Sequence, residues 1–293
     1  MLKVMRVGVV YSLSDIAAVG IVNHLVQNLE YVGKASSSNK IFPSIGVYLY
    51  KGIEIVVAGT EKEVVFLTIN DLTNDVHLSN VDFIIVPSKH QSQAKVKSLT
   101  VHPTGNPWRR NDYGGEPMSL SMSNPVLMWL MLHSLSKLKQ RYSELEQFSV
   151  SYEVTHHGPS IPIKPITFIE IGSTEDEWKN PIAQSVVAEA IIDSLSRLII
   201  EGGNYCTISV GFGGNHYAAL FTKRALEKGE CYGHMIPNYA IKELGLDDLR
   251  KVAEMAIRLT PNAKKVVIEK MRSEFRETIA YVAKGLGLEV EVH

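Results

Sequence analysis

One short run constrains this chain more than any other. Asp82–Pro87, Asp-Phe-Ile-Ile-Val-Pro, is a nearly continuous apolar segment, the pattern of a strand buried on both faces. Such a strand needs helices on either side of its sheet, and the flanking sequence supplies them. Lys3–Tyr11 reads as a Val-rich strand, and Ile16, Val19, Ile21, Val22, Leu25 and Leu29 follow at nearly helical spacing, with Ser14 or Asp15 as N-cap. Ser44–Tyr50, Ile53–Gly59 and Val64–Ile69 are β-branched runs parted by short turns, which predict a meander. Asn124-Pro125 opens a helix that runs to about Leu145. Beyond it, strands at Phe148–Thr155, Ile166–Ile171, Cys206–Gly211, Cys231–Met235, Lys265–Ile268 and Leu288–Val292 alternate with helices across Glu175–Ile200, Ala218–Lys228, Leu246–Leu259 and Ser273–Leu286. This alternation is α/β, with helices covering a mixed sheet. No repeat or linker cuts the 293 residues, so one domain over 1–293 is expected.

Charge and cysteine content narrow the function classes. With 30 Lys+Arg against 31 Asp+Glu the net charge is −1, which excludes a whole-surface grip on nucleic acid and leaves room for a local basic stripe. No apolar stretch reaches the roughly 18 residues of a membrane span. Met1–Val10 reads as a first strand rather than a signal peptide, because no small-x-small cleavage site follows it. Cys206 and Cys231 cannot make a disulfide framework or a four-thiolate zinc site, and are expected as buried thiols in a reducing, cytoplasmic setting. Any metal must then lean on histidines and carboxylates. Neither a triphosphate loop nor a dinucleotide fingerprint is present, so no nucleotide cofactor is expected.

The ten histidines are unevenly placed. His90, His102, His156, His157, His216 and His234 all fall at strand ends or in Gly/Pro/Asn-rich turns, where function collects in α/β sheets. His24, His77, His133 and His293 read as structural or solvated. The densest cluster is Ser151-Tyr-Glu-Val-Thr-His-His-Gly-Pro159. Alternation along a strand puts Ser151, Glu153, Thr155 and His157 on one face and His156 on the other. A Glu and a His converging at a strand end can bind a divalent metal or act as base and orienter; the competing reading has them capping turns. Gly213-Gly214-Asn215-His216 ends a strand in a turn able to present N–H groups to an anion, or merely to connect two elements.

The stretch 88–123 loses all periodicity and is full of Gly, Pro, Asn and Ser, which marks a long functional loop. From Lys89 to Asn111 it holds no acid, while Lys89, Lys95, Lys97, Arg109 and Arg110 are basic and Trp108 and Tyr113 interleave with them. Cations among aromatic planes suit a phosphodiester and an exposed base, although a solvated cationic loop has the same composition.

Taken together, Ser88-Lys-His-Gln-Ser92, Val101-His-Pro-Thr-Gly-Asn106, Glu153-Val-Thr-His-His-Gly-Pro159, Glu170-Ile-Gly-Ser173 with Trp178, Gly213-Gly-Asn-His-Tyr217 and Gly233-His234 resemble the archaeal and plant type of D-aminoacyl-tRNA deacylase. The resemblance spans essentially the whole chain. It departs from the usual Ser-Arg-His at Ser88-Lys89-His90, where a bidentate phosphate grip becomes a point charge. It implies a three-layer α/β/α fold with some likeness to peptidyl-tRNA hydrolase and nucleoside phosphorylases. It also implies a zinc-dependent hydrolase that cuts the ester between a D-amino acid and tRNA. On that basis zinc is expected on Glu153, His157 and His216. His90 and His102 would position the ribose or shuttle a proton, and His156 would be the general base. Lys89, Lys95, Lys97, Asn106, Arg109, Arg110, Gly213, Gly214, Asn215 and His234 would meet the acceptor end of tRNA, and the chain would act as a monomer. A zinc peptidase or amidase, and a non-catalytic RNA-binding protein, are the rival readings.

Overall fold

The computed structural model describes residues 4–35, 40–200 and 206–293. The apolar run becomes β5 (Phe83–Gln91), flanked by parallel β1 (Arg6–Ser12) and β10 (Ile166–Ser173). With β2 (Glu30–Ala35), β3 (Ser44–Tyr50), β4 (Ile53–Thr60), β6 (Ser98–Pro103) and β9 (Ser149–Tyr152) it forms a mixed eight-stranded sheet in the order β2-β3-β4-β1-β5-β10-β6-β9. Both faces are covered, as the run requires. Val7, Val9, Ile85 and Ile169 meet α1 (Ile16–Val26), α4 (Pro125–Lys139) and α6 (Pro181–Ile200). Val10, Ile84, Val86 and Phe168 point the other way, onto Leu72 of α2 (Ile69–Thr73) and Leu78 of α3 (Val76–Ser79). Strand alternation in the middle of the sheet thus makes a three-layer α/β/α arrangement.

A second, parallel sheet follows in the order β12-β11-β13-β14, from β11 (Thr207–Phe212), β12 (Glu230–Ile236), β13 (Lys265–Ile268) and β14 (Glu289–Val292). Val210, Phe212, Val266 and Ile268 pack under α8 (Asn238–Glu243), α9 (Leu246–Arg258) and α10 (Ser273–Gly285). Its opposite side, with Tyr232, Met235 and Val267, joins α7 (Ala219–Lys228) and α4 in the first core. Helix α4 therefore lies between the sheets. This explains why its buried residues, Leu127, Met128, Leu130, Met131, Leu132, Leu135 and Leu138 among them, fall all round rather than on one stripe. The remaining elements are β7 (Gly105–Asn106), β8 (Ser119–Leu120) and α5 (Glu175–Trp178).

Several sequence expectations shift. The first strand begins at Arg6 rather than Lys3, which lies outside the described residues. The third meander strand expected at Val64–Ile69 is a 3-10 turn, Val64–Phe66, leading into α2; the meander takes its outer strand from Glu30–Ala35 instead. Thr68 and Asp71 form a reciprocal capping box there, and this local bonding outweighs β propensity. Stretch 88–123 is not structureless: it holds the end of β5 and strand β6, whose Ser98, Thr100 and His102 alternate with Leu99, Val101 and Pro103. The helix from Pro125 ends at Lys139, and Ser143–Leu145 is a separate 3-10 turn. Cys206 and Cys231, expected as thiols, are joined in a disulfide, with Cα atoms 5.5 Å apart. Parallel pairing of β11 with β12 brings them together, which corrects the free-thiol expectation. Among the described residues no helix is long and apolar enough to cross a membrane.

Candidate active site

The site grows from the carboxyl ends of β5 and β10. In their parallel register Ser88 pairs with Glu170 and His90 with Gly172, so these side chains share one face of the sheet. Antiparallel β6 adds His102 on the same face, opposite Phe168. A side chain at Gly172 would put its Cβ 2.9 Å from His90 Cδ2, so glycine here makes room for the imidazole. Asp15 fixes the strand end from the side. One oxygen caps α1 through Ala18 N–H, and the other accepts the N–H of Lys89 at 2.8 Å and the Ser88 hydroxyl at 3.3 Å. Trp178 of α5 donates its indole N–H to the His90 carbonyl at 3.0 Å.

Glu153 is the centre of the cluster. It is fully buried, and imidazole nitrogens of His216, His90, His156 and His102 lie 3.0, 3.4, 3.5 and 4.0 Å from its carboxylate oxygens. Glu170 lies 3.5 Å from His90 and 3.6 Å from His102. Three rings are oriented by the backbone. His102, His156 and His157 each direct Nδ1 at a carbonyl, of Pro103 (3.0 Å), Val154 (2.7 Å) and Gly158 (2.7 Å). A carbonyl can only accept, so Nδ1 carries the proton and Nε2 offers a lone pair.

The electrostatics set two buried carboxylates against the imidazoles around them. Burial would raise the Glu153 carboxyl, yet His216, His102 and His90 hold it down at about 2. Glu170 is likewise held well below its ordinary value by His102 and His90. Burial pushes His90 down, but Glu170 and Glu153 prevail and raise it to about 9, and they raise His102 too. His156 and His157 go the other way, His157 to about 4, because burial and neighbouring imidazoles disfavour their charged forms. Both oxygens of Glu153 and Nε2 of His102 and His216 are buried without a hydrogen bond. Two buried carboxylates, one of them with both oxygens orphaned, are costly unless a positive charge meets them.

Three groups bring one donor atom each within 4.8 Å of one another: His90, Glu153 and His216; His102, His156 and His157; and His102, Glu153 and Glu170. Imidazole and carboxylate donors without thiolate suit zinc and similar divalent ions. The expected zinc set is therefore divided. Glu153 and His216 stand together with His90, while His157 belongs with His102 and His156. Strand β9 stops at Tyr152, so the alternation meant to separate His156 from His157 does not reach them, and the two rings lie 4.3 Å apart.

A cleft of about 1110 Å³ opens over this cluster, with His90, His156, His157, Glu170 and His216 in its floor and Lys89, Lys95 and Arg110 in its walls. Other residues expected to meet substrate are placed differently. His234 is fully buried; it donates from Nε2 to the Ser121 carbonyl (2.8 Å) and accepts from Thr155 at Nδ1 (3.0 Å), so it braces the wall. Asn106 is buried and binds the Arg110 and Gly115 carbonyls, shaping the loop. The Gly213 N–H is spent on the Ile236 carbonyl, Glu269 packs against that turn, and Asn215 faces solvent outside the cleft. Arg109 forms a two-point pair with Asp248, Arg110 meets Asp112 and Glu243, and Lys97 lies 3.8 Å from Glu177.

Residue by residue the sequence marks neither Glu170 nor Tyr217, whose hydroxyl lies 3.3 Å from His90 Nε2, as a site residue, and it marks Asp15 only as an N-cap. For Glu170 the signal was present: a lone carboxylate inside Ile166-Thr-Phe-Ile-Glu-Ile171.

The family model for D-aminoacyl-tRNA deacylase matches residues 77–291. A protein named D-aminoacyl-tRNA deacylase from Staphylothermus marinus is 37% identical over 287 residues, covering 97% of this chain and 98% of its own. One of the same name from Aeropyrum pernix is 36% identical, covering 98% and 99%, and one from Pyrococcus horikoshii is 33% identical, covering 94% and 95%. A crystal structure described as a conserved protein of unknown function superposes with a TM-score of 0.83 at 29% identity, covering 100% of this chain and 96% of that one. The histidine motifs that line the cleft and the match across nearly the full length agree: the chain belongs to the D-aminoacyl-tRNA deacylase family.

Proposed function

We propose that the chain hydrolyses the ester joining a D-amino acid to tRNA, with zinc held by His90, Glu153 and His216. The observation that carries this reading is the buried His/Glu cluster in the floor of a cleft with Lys89 and Lys95 on its walls. Zinc held there would supply Lewis acidity toward the ester carbonyl and toward water. The protein does the rest. His156 faces the cleft, and burial keeps it neutral, so Nε2 can take the proton from the attacking water. Glu153, 3.5 Å from that nitrogen, stabilises the imidazolium that forms. The proton then passes to the departing ribose oxygen, and D-amino acid and tRNA leave. An aminoacyl ester is already activated, so this modest machinery is sufficient.

A tRNA substrate would suit work in the cytoplasm, and a cluster that draws on both sheets supports reading the chain as one functional unit. The test is release of D-amino acid from D-aminoacyl-tRNA before chelation, after chelation and after zinc is restored, beside the L-aminoacyl form. Loss on chelation with recovery on zinc supports the reading. Full activity after exhaustive chelation overturns the zinc, and no release from either substrate overturns the deacylase.

A further inference from the structure

Four aromatic side chains border the cleft outside the histidines and tyrosine 239: Phe66, Trp108, Tyr113 and Trp178. Two of them are engaged. Trp108 is 6% exposed, stacked on Tyr239 with ring centroids 5.9 Å apart and covered by the Arg110 guanidinium at 5.4 Å. Trp178 has the Lys89 ammonium 5.2 Å from its ring centroid. Phe66 and Tyr113 differ. They are 49% and 63% exposed, and among the described residues neither has another ring stacked on it or a cation over it. Leaving two large rings exposed on the lining of one cleft costs hydrophobic free energy that burying either would recover.

The backbone keeps them there. Gly114 sits against Val65 O, and its Cβ would lie 3.3 Å from Phe66 Cδ1, so the Tyr113-Gly114 turn and the Val64–Phe66 turn touch through atoms no side chain can part. Gly114 and Gly115 have φ of +73° and +75°, the left-handed region that glycine favours. The Tyr113 carbonyl accepts the N–H of Gly158 at 3.0 Å, directly after His157. The aromatic rim is thus tied to the histidine turn.

We propose that Phe66 and Tyr113 form a stacking subsite for the unpaired 3′-terminal base of the RNA, resting on the deacylase reading for the identity of that RNA. The ribose that bears the scissile ester also bears this base, so a cleft that admits the ester to its floor must house the base within one nucleotide. Lys89 and Lys95, exposed on the same cleft, suit the phosphates that follow.

The test uses an RNA hairpin with an unpaired 3′ end and the same hairpin with an abasic terminal nucleotide, titrated by fluorescence against the full chain. Loss of the base is expected to weaken binding about tenfold or more. Phe66→Ala with Tyr113→Ala should bind both RNAs at that weaker level, while Phe66→Tyr with Tyr113→Phe should retain the preference. Base preference undiminished in the double alanine variant, or absent from the unaltered chain, overturns the subsite. The titration needs no turnover, so a chain that binds the base but releases no D-amino acid would count against the deacylase reading alone.

Discussion

At the floor of the cleft Glu153 is wholly buried, with four imidazoles within 4.0 Å; at its edge Arg109 is 74% exposed and bonded two-point to Asp248. In sequence both are ionisable residues near Gly- and Pro-rich turns, Glu153 toward the end of an expected strand and Arg109 within the long loop. Their surroundings make them opposites. The floor concentrates charge that has no internal partner but histidine, so it is held ready for something from outside. The edge spends much of its charge on the protein itself: Arg109, Arg110 and Lys97 all have acids beside them, while Lys89 and Lys95 line the cleft. An acid-free stretch of sequence is therefore not an acid-free surface, because Asp248, Glu243 and Glu177 arrive from elements far along the chain.

Substitutions that sharpen this contrast fall in a clear order. Glu153→Gln removes the charge shared by four histidines. It should lower the deacylation rate on the order of a hundredfold or more, with bound zinc falling in parallel, as single-turnover rates and elemental analysis would show. His156→Ala should cost on the order of a hundredfold to ten-thousandfold while the chain stays folded and still binds tRNA; a rate near that of the unaltered chain would remove His156 from the chemistry. Gly172→Ala tests the floor without touching its charges. The new methyl collides with the Ser98 hydroxyl and the His90 ring, so activity should fall at least tenfold with little change in tRNA affinity.

At the edge, Lys89→Ala and Lys95→Ala should weaken tRNA binding a few-fold each and reduce the salt dependence by about one counterion per lost phosphate contact. Arg109→Ala should do less, since Asp248 already holds that charge; an equal loss at Arg109 would break the contrast. The smallest effect lies far from the cleft. Arg224 and Lys265 hold Glu291 down at about 2, and Arg224, Tyr232 and Lys265 lower Glu230 despite its burial. Carboxylates depressed in the fold stabilise it above their ordinary value of 4.5 and lose that contribution as pH falls toward about 2. Glu291→Gln should therefore melt lower than the unaltered chain at pH 7, and the gap should close on acidification.

The sequence made the chemistry legible wherever a polar residue broke an apolar pattern. The buried run at β5, the histidines at strand ends and the Asn124-Pro125 helix start all carry a local signature, and local physics decided them. What stayed hidden depends on which strands lie side by side. Grouping of the ligands needs the β5–β10–β6 register, the cysteine pair needs β11 beside β12, and the bonding of His234 needs Ser121 from a distant loop. The β propensity of Val64–Ile69 lost to a capping box between Thr68 and Asp71, which shows how few local bonds suffice to redirect a segment whose Val64 and Leu67 are buried.

Helix α4 has a mechanical consequence. Because one helix forms a wall for both sheets, the two halves share a spine and have no hinge plane between them. Swinging them apart would strip water-free packing from Leu127 through Leu138 on more than one side at once. Any adjustment to a substrate as large as tRNA would then fall to the irregular segments around the cleft, at Lys95 and Tyr113, rather than to movement of one sheet against the other.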